Sequence, residues 1–329
     1  MTMTGEEPLQ IKSPRRAFHL SEPRIEKLRI VKKKTVATWR IFKKNKLGMM
    51  GLTILMGFVV IAILAGPAMS VLAFIGGWDS AYGPFDRVAP MGAATPPSSE
   101  HWLGTDQWGF DILSRVIYGS RVSLYVGFVA TIVSMALGAG VGILSGFWGG
   151  WKDAVLMRIT DVFLVIPWLV LMIVLAYVLP GGPSISKVVF VIGITGWSST
   201  ARIVRAQVLS VKERAFVERA RAIGAGDMHI VRRHIFPNVF PLVFANAILT
   251  VALSILSEST LSFIGLGPES VKVVTWGNML EDAISASAMI NGYYMWIAVP
   301  GIFIVLVVLG FTFIGHALDE IVNPKLRKR

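Results

Sequence analysis

Three polar residues in one segment are candidates for metal chemistry. His101, Asp106 and Asp111 follow one another at intervals of five residues, and imidazole and carboxylate groups are common metal ligands. Their spacing matches no established ligand pattern, and Asp and Gly close together are more typical of turns. The chain has no cysteine, so a cysteine–histidine zinc site is excluded. We predict turns here and no metal site.

Hydroxyl and imidazole groups elsewhere do not form a recognisable catalytic set. Ser198, Ser199 and Thr200 have no histidine nearby to act as a general base. His229 and His234 are five positions apart and diverge around a helix, whereas a zinc pair prefers a spacing of four. The sequence has no GxxxxGK(S/T), HExxH or GxSxG motif. The chain is therefore predicted not to be an enzyme, and energy must come from a partner.

The strongest local pattern lies in a basic stretch between two apolar blocks. Residues 210–213 (Ser-Val-Lys-Glu) have the form of a capping box, which starts a helix. That helix should end at Gly224, because glycine is favoured just after a helix. Asp227 is expected to cap a second helix, residues 228–236, and Pro237 either stops it or starts the next span.

The first of these helices carries a mixed surface. Charged and apolar side chains alternate along it: Arg214, Phe216, Glu218, Arg219, Ala220, Arg221 and Ile223. Segment 202–238 is either a solvated basic loop or a rigid peg that presses into a groove of a partner. A loop that only joins two spans needs neither two capped ends nor an apolar stripe. A segment that transmits the motion of a partner must be rigid, because a flexible segment absorbs that motion. The residues alone leave both interpretations open.

The apolar blocks around this loop are typical of a membrane protein. Of 329 residues, 54% are hydrophobic and 16% charged, against about 25% charged in soluble domains. A membrane-spanning helix needs about 20 mostly apolar residues. Six blocks qualify, with glycine and hydroxyl residues diluting the fourth: 47–75, 122–147, 155–179, 188–203, 239–257 and 293–313. We predict an all-α polytopic fold with about six transmembrane helices, five or seven being the alternatives.

The basic residues are distributed unevenly over the predicted loops. Of the 32 Lys and Arg residues, 27 fall on the side of the amino terminus and 5 on the other. Because cytoplasmic loops carry the excess of Lys and Arg, both termini are expected in the cytoplasm and the chain in the cell membrane. The same asymmetry explains the net charge of +12 without nucleic acid.

The predicted spans divide the chain into five segments. They are a basic cytoplasmic segment 1–46, a first span 47–75, an extracytoplasmic segment 76–121, a five-helix core 122–318 that includes loop 202–238, and a basic cytoplasmic tail 319–329. In the extracytoplasmic segment, Asp111 is expected to cap a short helix. Its apolar positions Ile112, Val116 and Ile117 suit a helix lying on the membrane surface.

Small residues and helix breakers mark the predicted spans. Glycines recur every four positions on one helical face, at Gly138, Gly142, Gly146 and Gly150. Small residues at this spacing let helices approach closely, either as a seam along which one helix slides or as plain packing within the chain. Pro167 is expected to kink the third span, and the glycine-rich stretch 193–196 the fourth.

Two motifs resemble a known family. Residues 218–224 (Glu-Arg-Ala-Arg-Ala-Ile-Gly), with Pro237 thirteen residues later, resemble the EAA loop of membrane subunits in ABC importers. Arg219 stands where that family usually has alanine. Residues 101–106 (His-Trp-Leu-Gly-Thr-Asp) and 118–124 (Tyr-Gly-Ser-Arg-Val-Ser-Leu) are similar to the C-type subunit of the dipeptide/oligopeptide/nickel permease family. The resemblance covers nearly all of the chain after its basic head.

The resemblance implies a type I ABC importer permease fold with a coupling helix that docks on an ATPase. The implied coupling residues are Phe216, Glu218, Arg219, Ala220, Arg221, Ile223 and Gly224. The implied partners are a homologous B-type membrane subunit, two ATPase subunits that hold ATP and Mg, and an extracytoplasmic substrate-binding protein. This chain itself would hold no cofactor.

The resemblance also implies a peptide as substrate, with an oligosaccharide or nickel as alternatives. The residues that contact the substrate are unknown. A channel or a secondary carrier not driven by ATP is the alternative class of function. It would need a polar or charged pore lining or inverted repeats with broken helices, and no clear repeat is found.

Overall fold

The computed structural model describes residues 33, 36, 38–66, 70, 82–92 and 94–322. Most of the predicted basic head, the end of the predicted first span and most of the predicted tail lie outside these residues. Contacts divide the chain into two units, 1–44 and 45–329, and the elements named below belong to the second. Its described part is helical, with isolated β-bridges in the segment before the second helix.

The described part of this unit contains eleven α-helices. They are α1 (Lys46–Ile63), α2 (Ile112–Trp148), α3 (Gly150–Val165), α4 (Trp168–Val178), α5 (Ile185–Thr195), α6 (Trp197–Lys212), α7 (Ala215–Ala222), α8 (Asp227–Ile230), α9 (Phe236–Phe263), α10 (Trp276–Ser285) and α11 (Tyr294–Val322). A π-helical turn, Val231–Ile235, joins α8 to α9.

Within the described residues, five helical segments are long and apolar enough to cross a membrane. They are α1, α2, α5 with α6, α8 through α9, and α11. Helices α3 and α4 make a sixth span if the bent pair is counted as one. The predicted all-α polytopic fold is therefore confirmed.

The prediction of a short surface helix after Asp111 is wrong in its extent. Asp111 does cap a helix, since its side chain accepts a hydrogen bond from the Ser114 amide at 2.7 Å. That helix is α2, which continues for 37 residues. Ile112 and Val116 are buried and pack in one core with Trp276 of α10. An apolar stripe looks the same in sequence whether a membrane surface or another helix covers it.

Two helix breakers behave differently. Pro167 stands between α3 and α4, whose axes differ by 93°, so the predicted kink in the third span is confirmed. Gly196 separates α5 from α6, yet the two continue together as one span, Ile185–Lys212. Proline removes a backbone donor and clashes with the preceding turn, whereas glycine only weakens the helix.

The two predicted amino-terminal caps in the basic loop are wrong, whereas the first helix does end just before Gly224 as predicted. Ser210 lies inside α6, and α7 starts instead after Arg214, without a side-chain cap. Asp227 is the first residue of α8, which continues through the π-helical turn into α9 as one span. Pro237 lies near the start of α9 but inside the continuous span Asp227–Phe263, so it neither stops the second helix nor starts the next span. A serine with a glutamate three positions later also suits a helix interior when the apolar face continues.

Candidate functional site

The loop between α6 and α8 is built around α7, which has eight residues. Gly224 ends it in the left-handed conformation, with φ of +84°. The Ala225 amide donates to the Ala220 carbonyl at 3.0 Å, and the Gly224 amide donates to the Arg221 carbonyl at 2.9 Å. These two bonds form a Schellman motif, which satisfies the last carbonyls of a helix. The carboxyl end of α7 is thereby held in one geometry.

One face of α7 is anchored to the helical bundle. Val217 is fully buried and Ala220 is 7% exposed, and both belong to an apolar cluster with Phe147, Val208 and Ile230. The cluster joins α7 to α2, α6 and α8. Movement of α7 must therefore displace the ends of these helices, because packed side chains transmit strain.

The opposite face of α7 is exposed, and Arg221 alone of its charged side chains lies against an aromatic ring of the described bundle. Glu218, Arg219 and Arg221 are exposed, and the Ile223 side chain is 86% exposed although it is apolar. The Arg221 guanidinium lies 5.7 Å from the centroid of the Phe147 ring. An apolar tip bordered by charged groups on a rigid support is typical of a surface that contacts another protein.

The predicted coupling residues occupy different positions on and next to α7. Ala220 faces the bundle, and Gly224 forms the cap. Phe216 is half-buried, with its ring centroid 5.9 Å from that of His234. The remaining four, Glu218, Arg219, Arg221 and Ile223, form the outer face.

Three of the four spaced glycines lie at the contact between α2 and α6. A Cβ added at Gly138, Gly142 or Gly146 would lie 2.6–2.9 Å from the nearest atom of α6, closer than van der Waals contact permits. Gly150 does not belong to this contact, contrary to its predicted place in the seam. It lies beyond the end of α2 with φ of +58°, and nothing lies within 4 Å of its Cβ position. Helix α2 ends at Trp148, before the four-residue spacing of the glycines reaches Gly150.

Charged pairs join α3 to α6 on the side away from the glycines. Arg205 donates two hydrogen bonds to the carboxylate of Asp153, both 2.6 Å long. Asp153 also accepts from the Ser145 hydroxyl of α2. Arg202 lies 2.5 Å from Asp161. The sequence analysis missed the link between Asp153 and Arg205, because the two residues are far apart in the chain and carry no local signal.

A polar pocket of about 290 Å³ lies where the helices are interrupted. Helices α2, α5, α6 and α9 contribute six hydroxyl groups to its lining: Ser134, Thr195, Ser198, Ser199, Thr250 and Ser254. The break at Pro167 forms part of its wall, and no charged side chain lines it. The sequence analysis missed this pocket, and its only signals were the helix breakers Pro167 and Gly196.

The three residues first considered as metal ligands belong to separate networks. His101 lies 3.2 Å from Asp111, and burial raises the pKa of Asp111. Asp106 instead pairs with the fully buried Arg115. Among the described residues, no group of three or more His, Asp or Glu side chains is placed to hold a metal ion.

Arg115 connects the segment before α2 to α10. Besides Asp106, it lies 3.4 Å from Asp282 and donates to the Ser270 carbonyl at 2.8 Å. Burial raises the pKa of Asp282 to about 6, although the positive charge of Arg115 acts in the opposite direction. This ionic cluster fixes the end of the bundle that lies away from α7.

Comparison with known proteins places this architecture in a family. Residues 138–328 match the model of the inner membrane component of binding-protein-dependent transport systems. Residues 36–97 match the N-terminal transmembrane domain of oligopeptide transport permease C. The first match covers more than half of the chain.

Two relatives come from Bacillus subtilis. The dipeptide transport system permease protein DppC is 34% identical over 294 residues, which are 89% of this chain and 87% of the relative. The oligopeptide transport system permease protein OppC is 34% identical over 303 residues, which are 91% of this chain and 93% of the relative.

A solved structure shares the fold. The MetNI methionine ABC transporter, in an inward-facing conformation, has a chain that aligns with a TM-score of 0.51 and 18% identity, covering 65% of this chain and 97% of that one. The chain therefore belongs to the family of inner-membrane components of binding-protein-dependent transport systems, in the branch of C-type dipeptide and oligopeptide permease subunits.

Proposed function

We propose that this chain is a membrane-spanning subunit of an ATP-driven peptide importer and that α7 is the surface on which an ATPase subunit docks. The observation that carries the proposal is the form of α7: a short helix anchored on one face, capped by Gly224, with Ile223 exposed at its tip. The peptide substrate follows from the names of the dipeptide and oligopeptide permeases that this chain resembles.

The remaining partners follow from the family. A homologous B-type membrane subunit would complete the translocation path, two ATPase subunits would supply ATP and Mg, and an extracytoplasmic binding protein would deliver the peptide. The excess of basic residues on one side supports a cytoplasmic location of α7 and both termini. There the exposed arginines of α7 are available to a partner.

Movement would pass from α7 to the pocket along one helix. Helix α6 begins at the pocket wall beside Gly196 and ends next to α7. Along its length it lies against the glycines of α2, and Arg205 ties it to α3. Closure of the ATPases would shift α7, and α6 would carry the shift to the polar pocket. On the α2 side of this contact, Gly138, Gly142 and Gly146 present no side chain that would resist that shift.

The docking role is tested by Ile223→Asp. Ile223 is 86% exposed, so the substitution removes no internal contact. Burial of an isoleucine in an interface contributes about 1.5–3 kcal/mol, so the affinity for the ATPase subunits should fall by about 10- to 100-fold. The measurement is copurification of the ATPase subunits with tagged permease, together with ATP-dependent peptide uptake in proteoliposomes.

The matched control is Ile290→Asp. Ile290 is 87% exposed but lies between α10 and α11, away from α7. This variant should retain its ATPase subunits. Equal retention of the ATPase subunits by both variants would rule out α7 as the docking surface.

A further inference from the structure

A buried hydroxyl group in the pocket lacks a partner. The Ser134 side chain is 1% exposed, and its Oγ makes no hydrogen bond within the described chain. The neighbouring hydroxyls are engaged: Thr195 accepts from the Trp168 indole at 2.9 Å, and Ser254 lies 3.1 Å from Thr131. A buried polar group without a partner is rare in native proteins and requires an explanation.

The space beside Ser134 is kept open by a glycine. A Cβ added at Gly196 would lie 3.0 Å from Ser134 Oγ, so a larger residue there would press on the hydroxyl. The open space belongs to the pocket that both residues line. The Ser134 side chain therefore forms part of the pocket wall, and the hydroxyl lies next to the space that Gly196 leaves open.

The uncapped start of α4 adjoins the same pocket. Helix α4 has eleven residues and starts after Pro167 with no side-chain cap. The first amides of a helix have no partner within it, and they carry the positive end of the helix dipole. The 93° bend directs α3 away from the axis of α4, so the carbonyls of α3 do not continue the hydrogen-bond ladder. Pro167 and Trp168 both line the pocket.

The pocket lies deep in the bundle. Ser134, Ser198 and Thr250 are each about 21 Å from the end of their helix that adjoins α7, at 1.5 Å per residue. Phe163, Ile192 and Leu253 supply apolar walls. The first amides of α4 can only donate, whereas the Ser134 hydroxyl can donate or accept, so an acceptor oxygen on the ligand is the one group that suits both.

We propose that this pocket binds a carbonyl or carboxylate oxygen of the peptide in transit, with the Ser134 hydroxyl and the first-turn amides of α4 as donors. The proposal rests on the proposed function of the chain in peptide import. Every peptide has main-chain and terminal oxygens. No charged side chain lines the pocket, so the lining does not select among the side chains of the peptide. The pocket would therefore hold peptides of different sequence at the start of α6.

The test is ATP-dependent uptake of trialanine by the complete transporter in proteoliposomes with saturating binding protein. Ser134→Ala should lower the uptake rate by about 3- to 10-fold, as expected for one lost hydrogen bond, without lowering the unfolding temperature of the complex. Gly196→Ala should lower uptake as well, because the added methyl group presses on the retained hydroxyl. Ser120→Ala is the matched control, since Ser120 is a buried serine of α2 that bonds to the Ile117 carbonyl outside the pocket. It should transport normally.

The chemical form of the ligand is decided with trialanine amide. If Ser134→Ala impairs uptake of the acid more than that of the amide, the bound oxygen belongs to the terminal carboxylate; equal impairment assigns it to a main-chain carbonyl. Unchanged uptake by stable Ser134→Ala transporters would overturn the proposal. If the wild-type complex itself shows no ATP-dependent uptake of trialanine, the proposed import of peptides fails instead.

Discussion

The contact between α2 and α6 can be tested with two glycines of one helix. At Gly142, an added Cβ would lie 2.6 Å from the Ala201 carbonyl oxygen and 2.7 Å from Val204 Cβ. At Gly140, two positions earlier, nothing lies within 4 Å of the added Cβ. The substitutions Gly142→Ala and Gly140→Ala add the same methyl group to the same helix. They differ only in what that group meets.

The two variants should differ in stability by about 1–3 kcal/mol. Gly140→Ala should stabilise α2 by up to about 1 kcal/mol, because alanine has the higher helix propensity. Gly142→Ala gains the same propensity but must push α6 away from α2, and overpacking of this kind costs about 1–3 kcal/mol. Backbone atoms of α6 make part of the contact, so rotation of a side chain cannot relieve it. The displacement of α6 should also reduce coupling between ATP hydrolysis and uptake.

The assay is thermal unfolding of the purified transporter complex, with the ratio of peptide taken up to ATP hydrolysed measured in proteoliposomes. We expect an unfolding temperature lower for Gly142→Ala than for wild type and equal or higher for Gly140→Ala, with a lower transport ratio in the first variant alone. Indistinguishable behaviour of the two variants would refute the close packing of α2 on α6 as the basis of coupling.

Two further predictions concern the two ends of the bundle. Gly224 has φ of +84° and no atom within 4 Å of its Cβ position, so Gly224→Ala should destabilise the end of α7 by about 1–2 kcal/mol through backbone strain alone, and Gly224→Asn by less. Faster amide hydrogen exchange of α7 in the alanine variant than in the asparagine variant is the measurement, and the reverse order would contradict the strain argument. Burial raises the pKa of Asp282 from 3.8 to about 6, so the folded state binds the proton more tightly than the unfolded state does. The stabilisation of the folded state by this proton is complete below pH 4 and is lost as the pH rises through 6. Relative to Asp282→Asn, the wild type should lose on the order of 3 kcal/mol between pH 4 and pH 7, measured as unfolding temperature against pH; parallel pH profiles would contradict the assignment.

Local sequence patterns predict much of the fold. The spans follow from runs of apolar residues, because a membrane helix satisfies its backbone within one segment. The break at Pro167 and the cap at Gly224 depend on one residue and the turn around it. The capping box at Ser210 failed because the apolar face of α6 continues to Val211, which is fully buried. Packing against α7 and α8 there outweighs the local preference for a helix start.

Sequence patterns alone identify a polytopic helical membrane protein of the permease family, with an interrupted third span and a short basic helix between two spans. These features depend on interactions within one or two helical turns. The contacts between helices are seen only in the folded structure: Gly138, Gly142 and Gly146 contact α6 while Gly150 does not, Arg205 binds Asp153, and Ser134 lines a pocket. Each of these contacts joins residues on different helices, and a serine in an apolar run has the same local pattern whether it bonds to its own helix or awaits a ligand.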